Sequence, residues 1–301
     1  MIKQLFLLIS ISSNIVGYLQ QHSYRIINAL DKSPVSYATI QISNRPGAII
    51  ASEKGEFLVE ISSTDSIEVT CVGFQKLKVA ESQIKEKIIE LSPQAVKLKP
   101  VTIYAQQTNK MALLGSQRKN AKEDELWGAG MKAEFAQQIE LPDSGSDYKL
   151  NTLILPVKTF SCYSPFLVHI YLHDTLSCLP GEEIYMKKIE MDKDLYKKGR
   201  ALIDISDENI IVSGRQPFYI SISWPPDANT EKGCATHLKM ISDTVGKTFT
   251  RSLYSKDYSF TLFTDDRPIV SSEKNAVKIH RKLKTFFSVE AEVYKNASNK
   301  L

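Results

Sequence analysis

The chain has 301 residues, 43% hydrophobic and 24% charged, which is ordinary for a globular protein and gives room for about two domains. Its net charge of +4 sits in residues 273–301, where seven Lys or Arg face three Glu, so the remainder is neutral. That distribution excludes a broad cationic face for nucleic acid.

The N-terminus reads as an export signal over residues 1–21. Lys3 supplies the positive start, and Leu5-Phe6-Leu7-Leu8-Ile9-Ser10-Ile11 an apolar core too short to span a bilayer without help from Ile15 to Leu19. No small-x-small pair marks cleavage before Gln20 or Gln21. An uncleaved anchor and a buried strand are the other readings of this run. The first cysteine is Cys71, so no lipid-accepting cysteine follows the apolar core.

Short β-rich runs follow at Ile40–Ile42, Phe57–Ile61, Ser66–Cys71, Leu77–Val79 and Ile88–Leu91, separated by Gly, Pro, Ser or Asp. Val101–Tyr104 closes this unit, taken as residues 22–105. Residues 106–130 turn polar and charged, a linker with room for one short helix around residues 110–126.

A second strand-rich block covers residues 131–268. Leu150–Val157, Phe166–Leu172, Ala201–Ile205, Ile210–Val212, Pro217–Trp224 and Tyr258–Phe263 read as strands, with turn signals at Asp143-Ser144-Gly145, Pro180-Gly181, Ser213-Gly214 and Pro225-Pro226. This spacing predicts an all-β chain of two sandwich domains, with no βαβ arrangement. Residues 269–301 form a basic extension: a helix over Lys274–Lys284, then a strand in which Phe287, Val289, Ala291 and Val293 alternate with polar residues.

Residues 24–104 resemble the carboxypeptidase regulatory-like domain, a transthyretin-like sandwich of exported Bacteroidetes proteins. Pro34-Val35, Ala38-Thr39-Ile40, Lys54-Gly55-Glu56-Phe57 and Val69-Thr70-Cys71-Val72-Gly73-Phe74 carry the likeness. Gly55 would allow the tight turn, Phe57 would plug the sandwich, and Gly73 would relieve a bend before Phe74 packs. Asn28 departs from the glycine that often opens the family's domain. The second block more loosely resembles the partner domain that often follows this module. Phe166 to Tyr171, Gly199 to Ser206 and Pro217 to Trp224 carry that likeness, and Ser223 stands where the relatives often have an acidic residue. The two resemblances imply a module pair with no assigned chemistry.

Catalytic motifs are missing. None of the five histidines (22, 169, 173, 237, 280) has Glu three residues later, so the zinc carboxypeptidase ligand pair is absent, as are H-E-x-x-H, G-x-S-x-G and the P-loop. No catalytic or cofactor-binding residue is assigned, and no cofactor is expected. His169, Tyr171 and His173 share one face of a strand, opposite Val168, Ile170 and Leu172. His169 and His173 are therefore metal-ligand candidates, although a solvated strand face is the plainer reading. Trp224, level with Ile220 and Ile222, reads as core, and Asp204, Asp207 and Glu208 as a turn. Cys71 reads as a buried small hydrophobe, and Cys162 and Cys178 flank one strand-rich stretch as candidates for a pair across a hairpin, with both left unpaired as the other reading. The expectation is an exported, non-catalytic binding or accessory protein without a transmembrane span in its mature chain. It would work in the periplasm or at the outer membrane and meet an envelope protein or glycan. The alternative is an envelope enzyme acting on glycans or peptides through carboxylates assembled by the fold.

Overall fold

The computed structural model describes residues 21–94, 107–115, 123–126, 132–159, 164–197, 199–226, 236–242, 247–254, 258–263, 283–285 and 287–295. The export signal, the Val101–Tyr104 run and most of the basic Lys274–Lys284 segment lie outside these residues.

The first sandwich contains β1 (His22–Asn28), β2 (Thr39–Ile42), β3 (Ile49–Ile50), β4 (Glu56–Val59), β5 (Ser66–Thr70), β6 (Leu77–Ala80) and β7 (Ile88–Leu91). One sheet runs β4-β1-β7, with β1 antiparallel to β4 and parallel to β7, and the other runs β3-β2-β5-β6. Alternation does the work here: Phe57 and Val59 of β4, and Ile67 and Val69 of β5, turn inward while their neighbours face out. Tyr24 stacks on Phe57 with ring centroids 5.4 Å apart. Gly55 holds φ +72°, and a Cβ there would lie 2.5 Å from the Ile26 carbonyl oxygen, so the expected glycine turn is present. Gly73 also has positive φ, but in open space, and Phe74 beside it packs against this core.

The second sandwich contains β8 (Gln107–Gly115), β9 (Glu123–Leu126), β10 (Ala133–Ile139), β11 (Ser146–Thr159), β12 (Phe166–His173), β13 (Pro180–Ile189), β14 (Tyr196–Lys197) and β15 (Arg200–Asp204). It continues with β16 (Ile211–Ser213), β17 (Phe218–Ser223), β18 (Thr236–Ser242), β19 (Thr248–Ser252), β20 (Thr261–Leu262), β21 (Leu283–Thr285) and β22 (Ser288–Lys295). A six-stranded sheet is ordered β13-β12-β17-β10-β19-β20. Facing it is a nine-stranded sheet built on β11, which pairs with β15, β16, β18 and β22; β8 joins β22 and β9 joins β18. Phe166, Val168 and Ile170 from β12, with Ile220 and Ile222 from β17, fill the space against Leu153, Leu155 and Val157 of β11 and Val289 of β22. Trp224 belongs to this core, edge-on to Phe135, and its indole N–H donates to the Thr236 carbonyl at 3.1 Å.

The all-β class is therefore present, with only two short 3-10 turns besides strands among the described residues. Three sequence expectations are revised. The helix expected around residues 110–126 is replaced by β8 and β9, whose described residues are strands of the second sandwich. The polar linker is correspondingly shorter. The predicted alternation from Phe287 to Val293 is real, but β22 is no extension: it lies between β11 and β8 inside the nine-stranded sheet. Its Val289 and Ala291 are fully buried. Polar composition concealed β8 and β9, because their pairing partners lie far away in sequence.

Candidate polar site at the domain seam

The strands β12 and β17 are buried on both faces. Leu167, Tyr171 and Tyr219 point away from the core yet are almost fully buried, the signature of a sheet covered on both sides. The cover is the first sandwich together with Tyr258 and Phe260. Ala48 N–H donates to the Leu253 carbonyl at 2.8 Å, and Lys188 pairs with Glu53 at 2.8 Å across the seam. Tyr258 hydrogen-bonds Thr39. Gly47, at φ +83°, lets the backbone pass against Leu253 where a side chain would collide with its carbonyl.

Beneath this cover a polar row crosses the sheet, strand by strand. Glu183 comes from β13, His169 and Tyr171 from β12, Ser221 and Ser223 from β17, Glu134 from β10 and Arg251 from β19. The ladder sets these neighbours: His169 lies opposite Ser221, and Glu134 opposite Arg251. His169 Nδ1 is 2.5 Å from Glu183 Oε1, and Nε2 is 2.8 Å from Ser223 Oγ. Arg251 donates to Glu134 Oε2 at 2.6 Å and to the Tyr171 hydroxyl at 3.0 Å, while Ser221 Oγ donates to the other Glu134 oxygen. The Arg251 guanidinium lies over the rings of Tyr258 and Phe260 at 4.4 and 4.5 Å.

Charge balance makes this burial tolerable. Burial alone would raise the Glu134 carboxyl, but Arg251 and His169 outweigh it and hold the group down to about 2. Burial would lower His169, yet the Glu134 and Glu183 carboxylates outweigh that and raise its pKa. Burial pushes the Cys71 thiol up to about 12, with Glu183 adding to the shift, so this thiol stays neutral.

The row opens onto a cavity of about 40 Å3 bounded by Thr70, Cys71 and Val72 of the first sandwich and by His169, Glu183, Ser223 and Arg251 of the second. Such a volume holds about three waters. Arg251 Nε is buried and has no hydrogen-bond partner among the described residues. Next to the cavity, and sharing Ile50, Trp224 and Leu253 as walls, is a groove of about 450 Å3. Pro46, Ala48, Ile49, Lys132, Pro225, Pro226 and Tyr254 complete its lining.

The predicted face of His169, Tyr171 and His173 is confirmed, but it is not solvated: His169 is 8% and Tyr171 2% exposed. The two histidines engage different partners, since His173 Nδ1 bonds the Tyr219 hydroxyl at 2.8 Å. No group of three or more His, Cys, Asp or Glu side chains with metal-binding geometry occurs among the described residues. Asp207 and Glu208 lie in a 3-10 turn over Ser206–Glu208 that ends at Asn209 with φ +51°. Cys178 is an exposed free thiol, while Cys162 lies outside the described residues. Glu134, Glu183, Ser223 and Arg251 were not singled out as a site by sequence, because strand register alone brings them together. One signal was available: the large side chains of Leu167, Tyr171 and Tyr219, set among the polar residues of that outer face, imply a covering layer.

No family model matches the chain, and no curated protein matches it. Among solved structures it is similar to T=1 particles derived from infectious bursal virus, at 10% identity and a TM-score of 0.26, covering 92% of this chain and 63% of that one. A T13 viral particle of the same virus gives 9% identity and a TM-score of 0.26, covering 92% of this chain and 62% of the other. The chain thus spans less than two thirds of these proteins, and nothing is carried over from likenesses this slight.

Proposed function

We propose that this chain is an exported binding or accessory protein of the cell envelope, built from a carboxypeptidase regulatory-like module and a larger partner sandwich. The groove of about 450 Å3 at the seam carries this reading. Its volume is that of a ligand site, and its lining is mostly apolar with aromatic and proline faces plus one cation at Lys132. Tyr254 is 69% exposed and its ring meets Lys132 Nζ at 5.3 Å, a flat surface onto which a sugar ring or peptide side chain can stack. Both sandwiches contribute walls, so the site exists only in the paired arrangement.

The test is retention of glycans and peptides from an envelope extract on immobilised protein, comparing the natural chain with Tyr254→Ser. Selective retention by the natural chain is expected. Equal retention by both, or none by either, would refute the groove as the binding site.

A further inference from the structure

A binding role leaves the polar row at the seam unused, and its chemistry is specific. We infer that Ser223, His169 and Glu183 form a nucleophile–base–carboxylate relay in the seam cavity, able to hydrolyse small acyl esters. The three groups stand in hydrogen-bonded order, Ser223 Oγ to His169 Nε2 at 2.8 Å and His169 Nδ1 to Glu183 Oε1 at 2.5 Å. That is the geometry nucleophilic acyl transfer requires: a hydroxyl in contact with a base, and the base oriented by a carboxylate. The same constellation occurs on unrelated folds and is recognised by geometry, so the missing G-x-S-x-G motif does not count against it.

Three further observations support a reactive site. Ser223 and His169 line a cavity, whereas His173 and Ser221 on the same face are bonded to Tyr219 and Glu134. Ser223 is the last residue of β17, directly before Trp224, which walls both the cavity and the larger groove. The substrate class assigned to this site is an ester whose short acyl group enters the cavity and whose apolar or cyclic alcohol part faces the groove that shares its walls. Arg251 places a guanidinium in the wall of the same cavity, a fixed positive charge beside the reacting groups.

The step balances without a further reagent except water. With the His169 proton on Nδ1, Ser223 Oγ attacks the acyl carbon and its proton passes to Nε2. The acyl C–O bond then breaks, and that proton leaves on the alcohol. Water attacks the acyl-serine, His169 takes its proton, and carboxylic acid departs as Ser223 recovers its hydrogen. Nothing is oxidised or reduced. Glu183 acts as a positioning residue.

The groups around His169 are Glu183 on β13, Tyr171 on its own strand, Glu134 on β10, Arg251 on β19, Tyr258, and Cys71 from the first sandwich. Their net effect raises the imidazole pKa, so hydrolysis should climb as pH rises through it.

The test uses the full chain, p-nitrophenyl acetate, and a serine-directed fluorophosphonate followed by peptide mapping. Expected are saturable hydrolysis that rises toward alkaline pH, and an adduct on Ser223. Ser223→Ala should lose both, and His169→Gln should lower turnover by about 10²- to 10⁴-fold, the usual contribution of a general base. Should either variant fail to fold, mapping on the natural chain still decides. No adduct on Ser223 at any pH, or hydrolysis unchanged in a folded Ser223→Ala variant, overturns the relay. Loss of groove binding in Tyr254→Ser with the Ser223 adduct intact would separate the two sites.

Discussion

At the scale of single residues, the seam is governed by one ion pair. Glu134 and Arg251 are both largely withdrawn from water and compensate each other at 2.6 Å. Such a pair contributes little against an apolar replacement of both partners, yet breaking it from one side strands a charge. Arg251→Met should therefore destabilise the second sandwich by about 3–5 kcal/mol in urea unfolding. Adding Glu134→Gln should recover a large part of that loss, because the amide oxygen can still accept from Ser221. Equal midpoints for the single and double variants would contradict this account. Individual residues were also the scale at which sequence was least informative about the site. His169 and Tyr171 were visible as a row, but Glu134, Glu183 and Arg251 looked like ordinary surface charges on polar segments. Nothing local marks them, because the neighbours that neutralise them are supplied by pairing register.

At the scale of elements, legibility follows the source of stability. Strands marked by their own apolar pattern, alternating in β4, β5 and β22 and nearly continuous in β12 and β17, stand out in the sequence. Strands that exist because a distant partner offers an edge, β8 and β9, do not. The strand β22 joins both cases: its alternation was plain, while its central position was not. Ala291 there is fully buried opposite Leu150 on β11 and Ala112 on β8. Ala291→Leu should overpack this layer and cost about 1–3 kcal/mol. Glu290→Leu, one residue away on the exposed side, should stay within about 0.5 kcal/mol of the natural chain. Thermal unfolding of the two variants makes the comparison, and the reverse ranking would place β22 outside the core.

For the whole molecule, the seam should confer a distinct dependence on pH. The pKa of Glu134 is depressed, so its contribution is complete above the unfolded value of 4.5 and fades as pH falls through about 2. The pKa of His169 is raised, so its contribution is complete below the unfolded value of 6.5 and fades as pH climbs through the higher folded value. Between 4.5 and 6.5 both contributions are complete. The urea midpoint should peak in that window and decline on either side. In His169→Gln the alkaline decline should disappear; its persistence would mean that other groups set the profile.

The placement of β22 also constrains the order of assembly. Its partner β11 is made about 140 residues earlier, as the Asn151–Glu292 hydrogen bond shows with a separation of 141. Until residues 288–295 are delivered, one edge of β11 lacks its neighbour over Ser146 to Ile154 and β8 lacks its pairing strand. Pairing at such separation is slow, because loop closure must precede any reward from contact. A chain emerging from its N-terminus would thus keep its larger sandwich unfinished until these residues arrive. An open strand edge in that interval invites other chains, and a holding chaperone would have its longest engagement with this half of the protein.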